Sequence, residues 1–510
     1  MAIFLFRRLI ASMLLLLVSS FVVYILMAYA GDPLGFLNEI TNPVQRNAIE
    51  RDVTEALNLD TPPVLRYFTW LGDVLTGDFG ISARTRQSIN SELATRLPIT
   101  LKLVGAATVL SIVIGVTVGV LTALRQYTGF DYIVTFVTFV FFSLPVFWVA
   151  VILKDLGGIR FNDWLRDGAQ VAPSVIAAVA LAAGIIGYST DAGNRSRRLL
   201  IGAGTAAVAA GALYYLSESG WFLEPKIDLI GLIPISIAIA VGCTALFAGV
   251  RNRRVLGSAL TMAAIGCVIY LPLQSLFDRE GMGWVWTIVL FAVTLLVGAA
   301  VGAAWGGYDK GLSIRISMLT GFFVGFTIFV DRHFQSWPEY SSNSVIRNRP
   351  IKTIGHRESR LEGSFWVINN DVFSHLILPT TALMLISLAA YTRYSRASML
   401  EVLNQDYVRT ARAKGLTERT VVVRHGLRNA LIPLATVVAF DIGGLLGGAV
   451  ITETVFEWNG MGRLFIEGLQ NLDPNPVMAA TMVVGATAVA ANILADLMYS
   501  ILDPRIRIHE

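Results

Sequence analysis

Long apolar stretches separated by short clusters of charged residues make up most of the chain. A transmembrane helix needs about 20 predominantly apolar residues to cross the hydrocarbon core of a bilayer. Two candidate spans are weak, because 316–330 is short and 429–452 is interrupted by Asp441. The pattern predicts an all-α polytopic membrane protein of about 12 transmembrane helices. The other spans, free of Asp, Glu, Lys and Arg, are 9–31, 103–124, 132–153, 168–190, 199–217, 229–250, 255–277, 281–308, 372–392 and 474–495.

Composition narrows the function classes. Hydrophobic residues make up 55% of the 510 residues and charged residues 15%, whereas soluble proteins usually carry about 25% charged residues. The net charge of +4 is too small to indicate binding of nucleic acid. Cys243 and Cys267 lie in apolar stretches without metal-ligand spacing, and the five His are scattered. We expect no metal, cofactor or nucleic acid to bind this chain.

Lys and Arg are concentrated in alternate loops, which predicts the orientation of the chain. With Arg7 and Arg8 on the cytoplasmic side, residues 393–428 are also cytoplasmic and hold eight Lys or Arg against three acids. The turn Asp278–Glu280 falls outside. Both termini are therefore predicted to be cytoplasmic. The other basic residues in loops predicted to be cytoplasmic are Arg125, Arg195, Arg197, Arg198, Arg251, Arg253, Arg254, Lys310 and Arg315.

The first span, within 1–30, has two interpretations. Arg7, Arg8, an apolar run and the Ala28-Tyr29-Ala30 sequence are features of a cleavable signal peptide. The apolar run is longer than the usual signal core of about 7–15 residues, which favours retention as an anchor. Cleavage would leave the orientation of the remaining spans unchanged.

Two blocks lie outside the usual alternation of span and loop. Residues 31–97 are predicted to form an extracytoplasmic cap with helices around 44–58 and 62–76. Residues 155–371 hold about six spans rich in Ala, Gly, Val and Ile, a composition that suits close helix packing in lipid. No paired ionisable groups occur within these spans, which disfavours an ion pathway of their own. The block ends in a loop at 331–371 whose six basic and five acidic residues nearly cancel.

A cytoplasmic loop at 393–432 carries the clearest functional pattern. A short helix is predicted through 404–414, ending at Gly415, and a second from Thr417 to Arg428, before Pro433 opens the next span. The general preference for Lys and Arg in cytoplasmic loops would explain the basic residues, but not the other features of the loop. The small residues and the Gly stop also suit a helix that docks in a groove of a cytoplasmic protein.

The sequence RYSRASMLEVLNQDYVRTARAKGL (393–416), followed by VRHGLRNALIP (423–433), resembles the cytoplasmic EAA loop of ABC importer permeases. The form resembles that of the dipeptide/oligopeptide/nickel permease family in particular. Further collinear motifs of that family cover about 1–153 and 372–507. They are GDP (31–33), GDFGISARTRQSINSELATRLPITLKL (77–103), SLPVFW (143–148), GGLLGGAVITETVFEWNGMGRL (443–464) and DPRIR (503–507).

This resemblance implies a type I ABC importer permease core of six helices in the bacterial cytoplasmic (inner) membrane. The core would comprise the first helix in 1–30, helices 2–3 in 98–153 and helices 4–6 in 372–507. The block 155–371 would then be an additional transmembrane insertion. An even number of inserted helices preserves the topology of the core.

The resemblance also implies partners and site residues. The partners are a second homologous permease, two ATPase domains holding ATP and Mg, an extracytoplasmic peptide-binding protein and membrane lipids. Arg409 stands where the generic motif has Glu, and Asp441 stands where related sequences tend to have Gln. Asp441 and Glu453 are candidates for the translocation pathway, with a structural hydrogen bond the favoured role for Asp441. The implied ATPase-coupling residues are Asp406, Tyr407, Arg409, Ala411, Arg412, Ala413, Lys414, Gly415 and Leu416.

The function that these features predict is ATP-driven uptake of di- or oligopeptides by alternating access. The sequence lacks the G-x-x-x-x-G-K-[ST] motif, so ATP hydrolysis is expected in partner subunits. Nickel chelates and glutathione are alternative substrates. An ion-coupled secondary transporter is a weaker alternative, because it requires paired acids in mid-membrane. A membrane enzyme is a third alternative, and it is disfavoured because the sequence shows no nucleophile motif and no paired catalytic carboxylates.

Overall fold

The computed structural model describes residues 2–190, 193–307 and 310–502. Within these residues the fold is all-α, and the single β-type pairing is the isolated bridge between Ile81 and Ser88. A short 3-10 helix, Gly35–Glu39, precedes the helices of the outer cap. The helices outside the block 155–371 are α1 (Ala2–Ala30), α2 (Pro43–Ala56), α3 (Pro63–Leu75), α4 (Ile89–Leu124), α5 (Gly129–Ser143), α6 (Val146–Leu153), α15 (Phe365–Leu403), α16 (Asp406–Ala413), α17 (Glu418–Thr420), α18 (Arg428–Val455), α19 (Met461–Gln470) and α20 (Pro474–Leu502).

The block 155–371 is helical as well. A π-helical segment, Lys154–Arg160, joins α6 directly to the next helix, so the predicted border at 155 falls within a continuous helical run. Its helices are α7 (Phe161–Arg166), α8 (Pro173–Thr190), α9 (Arg195–Glu218), α10 (Asp228–Phe247), α11 (Arg253–Phe277), α12 (Trp284–Trp305), α13 (Lys310–Gln335) and α14 (Trp337–Ser341).

Ten helices in the described residues are long and apolar enough to cross a membrane, or eleven when a bent pair is included. This number is close to the twelve spans predicted from the sequence. The remaining predicted span, 429–452, coincides with α18, which is 28 residues long. The side chains of residues 442–448 in α18 lie outside the described part of the chain.

The predicted span 132–153 is broken rather than straight. Helices α5 and α6 meet at an angle of 103°. Leu144 has an extended backbone, as expected for a residue before proline, and Pro145, also extended, caps the helix that begins at Val146. The SLPVFW sequence is therefore the corner between two helical segments.

The core is built around the pairing of α4 with α15. Leu103, Val104 and Ala107 of α4 are buried against Leu378 and Ala382 of α15. Helix α20 packs on α1, α18 and α19, which closes the core on its other side.

The long helices of the block 155–371 form two groups that pack on the other helices. Helices α8 and α9 make a hairpin beside α5, whereas α10–α13 form a bundle that reaches α15 through α13 and α14. Small residues allow close approach in both groups. A Cβ at Gly302 would lie 2.6 Å from the Ser313 carbonyl oxygen, and a Cβ at Gly184 would lie 3.2 Å from the Gly202 carbonyl oxygen.

The cap at 31–97 contains the two predicted helices, now α2 and α3. Tyr67 is fully buried in α3, and its hydroxyl lies 2.8 Å from the Ser20 Oγ of α1. Ser82, at the end of the cap, donates to the Asp473 carboxylate before α20, over 2.6 Å. The cap is thus attached to the core at both ends.

The connection between α15 and α18 is shorter than the predicted loop 393–432. Helix α15 continues to Leu403, and Pro433 lies inside α18 instead of opening it. The helices extend because Met399, beyond the apolar span of α15, packs on Val422 and Ala430. Burial of this apolar surface holds both helices together past the predicted span ends.

Candidate coupling site

Helix α16 occupies the connection between α15 and α18. It begins after Gln405, whose extended backbone precedes the first turn, and ends before Gly415. Gly415 has φ +75°, and its N–H donates to the Arg412 carbonyl over 2.9 Å. Glycine adopts this left-handed conformation without steric cost, which confirms the predicted stop.

One face of α16 is buried within the chain. Val408 is fully buried and Ala411 is 6% exposed, and both pack on Val421. Ala411 therefore seats α16 on its own chain and does not lie on the surface available to a partner. The sequence assigned Ala411 to close approach of an ATPase, because spacing alone did not show which face is buried.

The opposite face of α16 and the turn that follows it, to Leu416, are exposed. Tyr407 and Leu416 are large apolar side chains with 42% and 41% exposure. Asp406, Arg409, Ala413, Lys414 and Gly415 are exposed beside them. A patch of apolar side chains rimmed by charge is the usual composition of a transient docking surface.

Arg412 is exposed but already has a partner. Its guanidinium donates twice to the Glu418 carboxylate, over 3.1 and 2.7 Å. This pairing raises the pKa of Arg412 and lowers the pKa of Glu418. Arg409 makes only a longer contact of 3.6 Å with Asp406. Arg409 is therefore the freer of the two arginines.

Helix α16 is connected to the helices on both sides. The Asn429 amide of α18 donates to the Tyr407 hydroxyl over 2.9 Å. Further along α15, Arg396 donates to both oxygens of Asp131 at the start of α5, over 2.8 and 2.9 Å. A displacement of α16 would thus reach α18 directly and α5 through α15.

The two pathway candidates have partners within the chain. Tyr391 of α15 donates to the Asp441 carboxylate over 2.7 Å. Glu453 is fully buried, accepts a hydrogen bond from Thr100 of α4 and accepts another from the Arg463 N–H over 3.1 Å. Both carboxylates therefore join core helices. Their role in a pathway stays a prediction.

Sequence reasoning did not single out Tyr391, Arg396, Asp131 or Asn429. The Arg396–Asp131 pair joins positions 265 residues apart, and no local pattern connects them. The charge pattern alone could have indicated this pair. Asp131 follows the loop at Arg125, which is predicted to lie on the same side of the membrane as Arg396. The DPRIR motif at 503–507 lies outside the described residues.

Together, this fold and this site define a polytopic helical membrane protein with a short helix displayed between two core helices. The sequence model of the family described as binding-protein-dependent transport system inner membrane component matches residues 202–508, more than half of the chain. The chain belongs to this family, as a permease subunit of the ABC importer type. The match begins inside the block 155–371, so the borders of that block stay a prediction.

Named relatives share part of the chain. The oligopeptide transport system permease protein OppB of Mycobacterium tuberculosis is 46% identical over 154 residues, which are 30% of this chain and 47% of the relative. The dipeptide transport system permease protein DppB of Escherichia coli is 47% identical over 137 residues, 27% of this chain and 40% of the relative. A putative peptide permease of Brucella suis is 50% identical over 138 residues, 27% of this chain and 43% of the relative. The chain thus matches less than half of the length of each.

Proposed function

We propose that this chain is one permease of an ATP-driven importer of di- or oligopeptides, worked by alternating access. The supporting observation is the exposed face of α16, held between α15 and α18 by Val408 and by the Tyr407–Asn429 hydrogen bond. Two ATPase domains would dock on α16 and on its counterpart in a homologous permease. ATP and Mg would bind to those domains and not to this chain.

The contacts suggest how movement passes through the chain. Closure of the ATPases would displace α16, and the Tyr407–Asn429 bond would carry the displacement to α18. Arg396 and Asp131 would carry it from α15 to α5, which ends at the 103° corner. Such a corner supplies a place where one segment rotates against the other.

The remaining assignments follow from this role. A peptide-binding protein would deliver substrate to the end that carries α2 and α3. That end would then be extracytoplasmic, and both termini would lie on the cytoplasmic side. The names of the relatives support peptides, with nickel chelates and glutathione as alternative substrates. Asp441 would hold α15 and α18 together through Tyr391 rather than bind substrate.

Charge reversal on the exposed face of α16 tests the coupling role. In the complex purified through a tag on this chain, we expect Arg409→Glu to lower peptide uptake and transport-coupled ATP hydrolysis about tenfold, as for loss of a charge-assisted contact. Leu416→Asp should reduce co-purification of the ATPase subunits, because it places a charge in the apolar patch.

Arg195→Glu is the matched control, since Arg195 is exposed at the same end of the helices and lies outside α16. Unchanged uptake and ATP hydrolysis in both the Arg409→Glu and the Leu416→Asp variant would overturn the proposal. Reconstitution of the purified chain alone separates it from an ion-coupled transporter. The proposed importer gives no transport without its partners, whereas an ion-coupled transporter responds to an ion gradient.

A further inference from the structure

A basic cavity lies at the end of the core opposite α16. It has a volume of about 630 Å³ and is open on one side. One wall is the helical run through Ile159 and Asn162, and the other is the loop between α14 and α15. This size falls within the usual range of pockets for small molecules, about 300–1,000 Å³. The cationic residues in its lining are Arg347, Arg349, Lys352, Arg357 and Arg360, with His375 beside them.

The structure separates charges that nearly cancel along the sequence. Asp331 is fully buried in the inserted bundle, where it accepts from the Tyr270 hydroxyl and the Ile227 N–H. Asp371 is 2% exposed and accepts from the Glu358 N–H over 2.7 Å. These two acids do not line the cavity, and Glu358 is the one carboxylate in its described lining. Asp371 lies behind the lining, 3.4 Å from the His375 ring. The lining itself therefore holds more cationic than acidic side chains.

Most of these cations have weak partners or none. Arg349 and Arg360 reach Asp163 and Glu358 at 3.7 and 3.8 Å. Arg347, Lys352 and Arg357 form no ion pair with any residue that the structure describes. Burial lowers the pKa of Lys352 more than the nearby Asp371 and Glu358 carboxylates raise it, so a bound anion would further stabilise its charged form.

The cationic loop is fixed in place before any ligand binds. The Asn162 side chain donates to the Ile351 carbonyl over 2.7 Å and accepts from the Ile351 N–H over 3.0 Å. Tyr340 is fully buried, and its hydroxyl donates to the Pro350 carbonyl over 2.9 Å. A held loop loses little conformational entropy on binding, which favours affinity.

We propose that this cavity binds a small solute with two or more negative charges, and that an acidic peptide is its ligand. The peptide identity rests on the proposed function, whereas the preference for anions rests on the cavity alone. Five cationic side chains share this lining, on both sides of the fixed Pro350–Ile351 segment of the loop. A ligand with two carboxylates can form more than one charge-assisted contact with them.

Direct binding to the purified complex without its binding protein tests this assignment. Alanyl-glutamate and alanyl-glutamine have nearly the same size and differ by one carboxylate. We expect alanyl-glutamate to bind about tenfold more tightly, by one charge-assisted contact, and to weaken as salt is added. The double variant Arg347→Glu, Arg357→Glu should remove this preference, and Arg347→Lys, Arg357→Lys should retain most of it.

Arg279→Glu is the matched control, because Arg279 is exposed at the same end and does not line the cavity. Equal binding of both dipeptides to the unaltered complex would overturn the proposal. An equal loss in the Arg279 control would do so as well. Binding of inorganic phosphate without binding of alanyl-glutamate would overturn the assignment to peptides.

Uptake separates this inference from the proposed function. The double variant should lower uptake of alanyl-glutamate more than uptake of alanyl-glutamine, because alanyl-glutamate has one more carboxylate for the two arginines to contact. An equal loss of uptake of both dipeptides would show that the loop serves docking of a partner, against the inference. An importer that fails only in the Arg409→Glu variant would still support the coupling role.

Discussion

At the scale of single residues, the exposed Arg412 can either stabilise its own chain through Glu418 or contact a partner protein. The paired guanidinium and carboxylate suggest an internal role, although exposed ion pairs contribute only about 0–1 kcal/mol. We expect Arg412→Glu to lower ATP hydrolysis coupled to transport. The swap Arg412→Glu, Glu418→Arg should restore most of the lost rate by re-forming the pair. A swap no better than the single variant would assign Arg412 to the ATPase interface.

Asp441 and Tyr391 give a second prediction, on stability. Tyr391 is fully buried, and its hydroxyl is the donor to the Asp441 carboxylate. Tyr391→Phe leaves the carboxylate without that donor, so we expect a loss of about 1 kcal/mol, typical of hydrogen bonds between transmembrane helices. Thermal unfolding in detergent measures it.

The double variant Tyr391→Phe, Asp441→Leu is the control for Asp441, because it removes donor and acceptor together. It should recover part of the stability, since no polar group is left unpaired. A loss of peptide uptake in Asp441→Asn, with normal unfolding, would favour a substrate role for Asp441 instead.

At the scale of helices, α12 and α13 cross at backbone contact. A Cβ at Gly302 would lie 2.6 Å from the Ser313 carbonyl oxygen and 2.7 Å from the Ile314 backbone nitrogen. We expect Gly302→Ala to destabilise the protein by about 1–3 kcal/mol through overpacking. A Cβ at Gly204 of α9 would meet no atom within 4 Å, and Gly204→Ala should stabilise the protein by about 0.4–1 kcal/mol. Unfolding shifts of the same sign would contradict the tight crossing.

The sequence predicts those features of the helices that depend on local residues and misses those that depend on tertiary contacts. Hydropathy located the spans, and turn chemistry located the stop at Gly415, since both are local properties. Hydropathy does not register the corner at Pro145, because the sequence stays apolar across it. The continuation of α15 to Leu403 depends on tertiary packing, as with Met399 on Val422. The buried side of Ala411 and the absence of Asp331 and Asp371 from the cavity lining required the three-dimensional fold.

At the scale of the whole molecule, polar contacts between segments lie at two opposite ends of the long helices. Ser82 meets Asp473 at one end, together with the basic cavity, and Arg396 meets Asp131 at the other, near α16. The helices of the block 155–371 follow the same alternation, because Ser217 accepts from the Val171 N–H at the cavity end. This block thus contributes surface at both ends of the molecule.

The alternation predicts which positions an impermeant maleimide reaches. In a background with Cys243 and Cys267 replaced by Ser, we expect Asp60→Cys and Arg279→Cys to react in right-side-out vesicles. Arg195→Cys and Arg409→Cys should react only after the membrane is opened, because they lie at the α16 end. Labelling of Arg195→Cys from outside, with Arg409→Cys protected, would contradict the arrangement of the insertion alone. Labelling of Arg409→Cys from outside would remove α16 from the reach of any cytoplasmic ATPase.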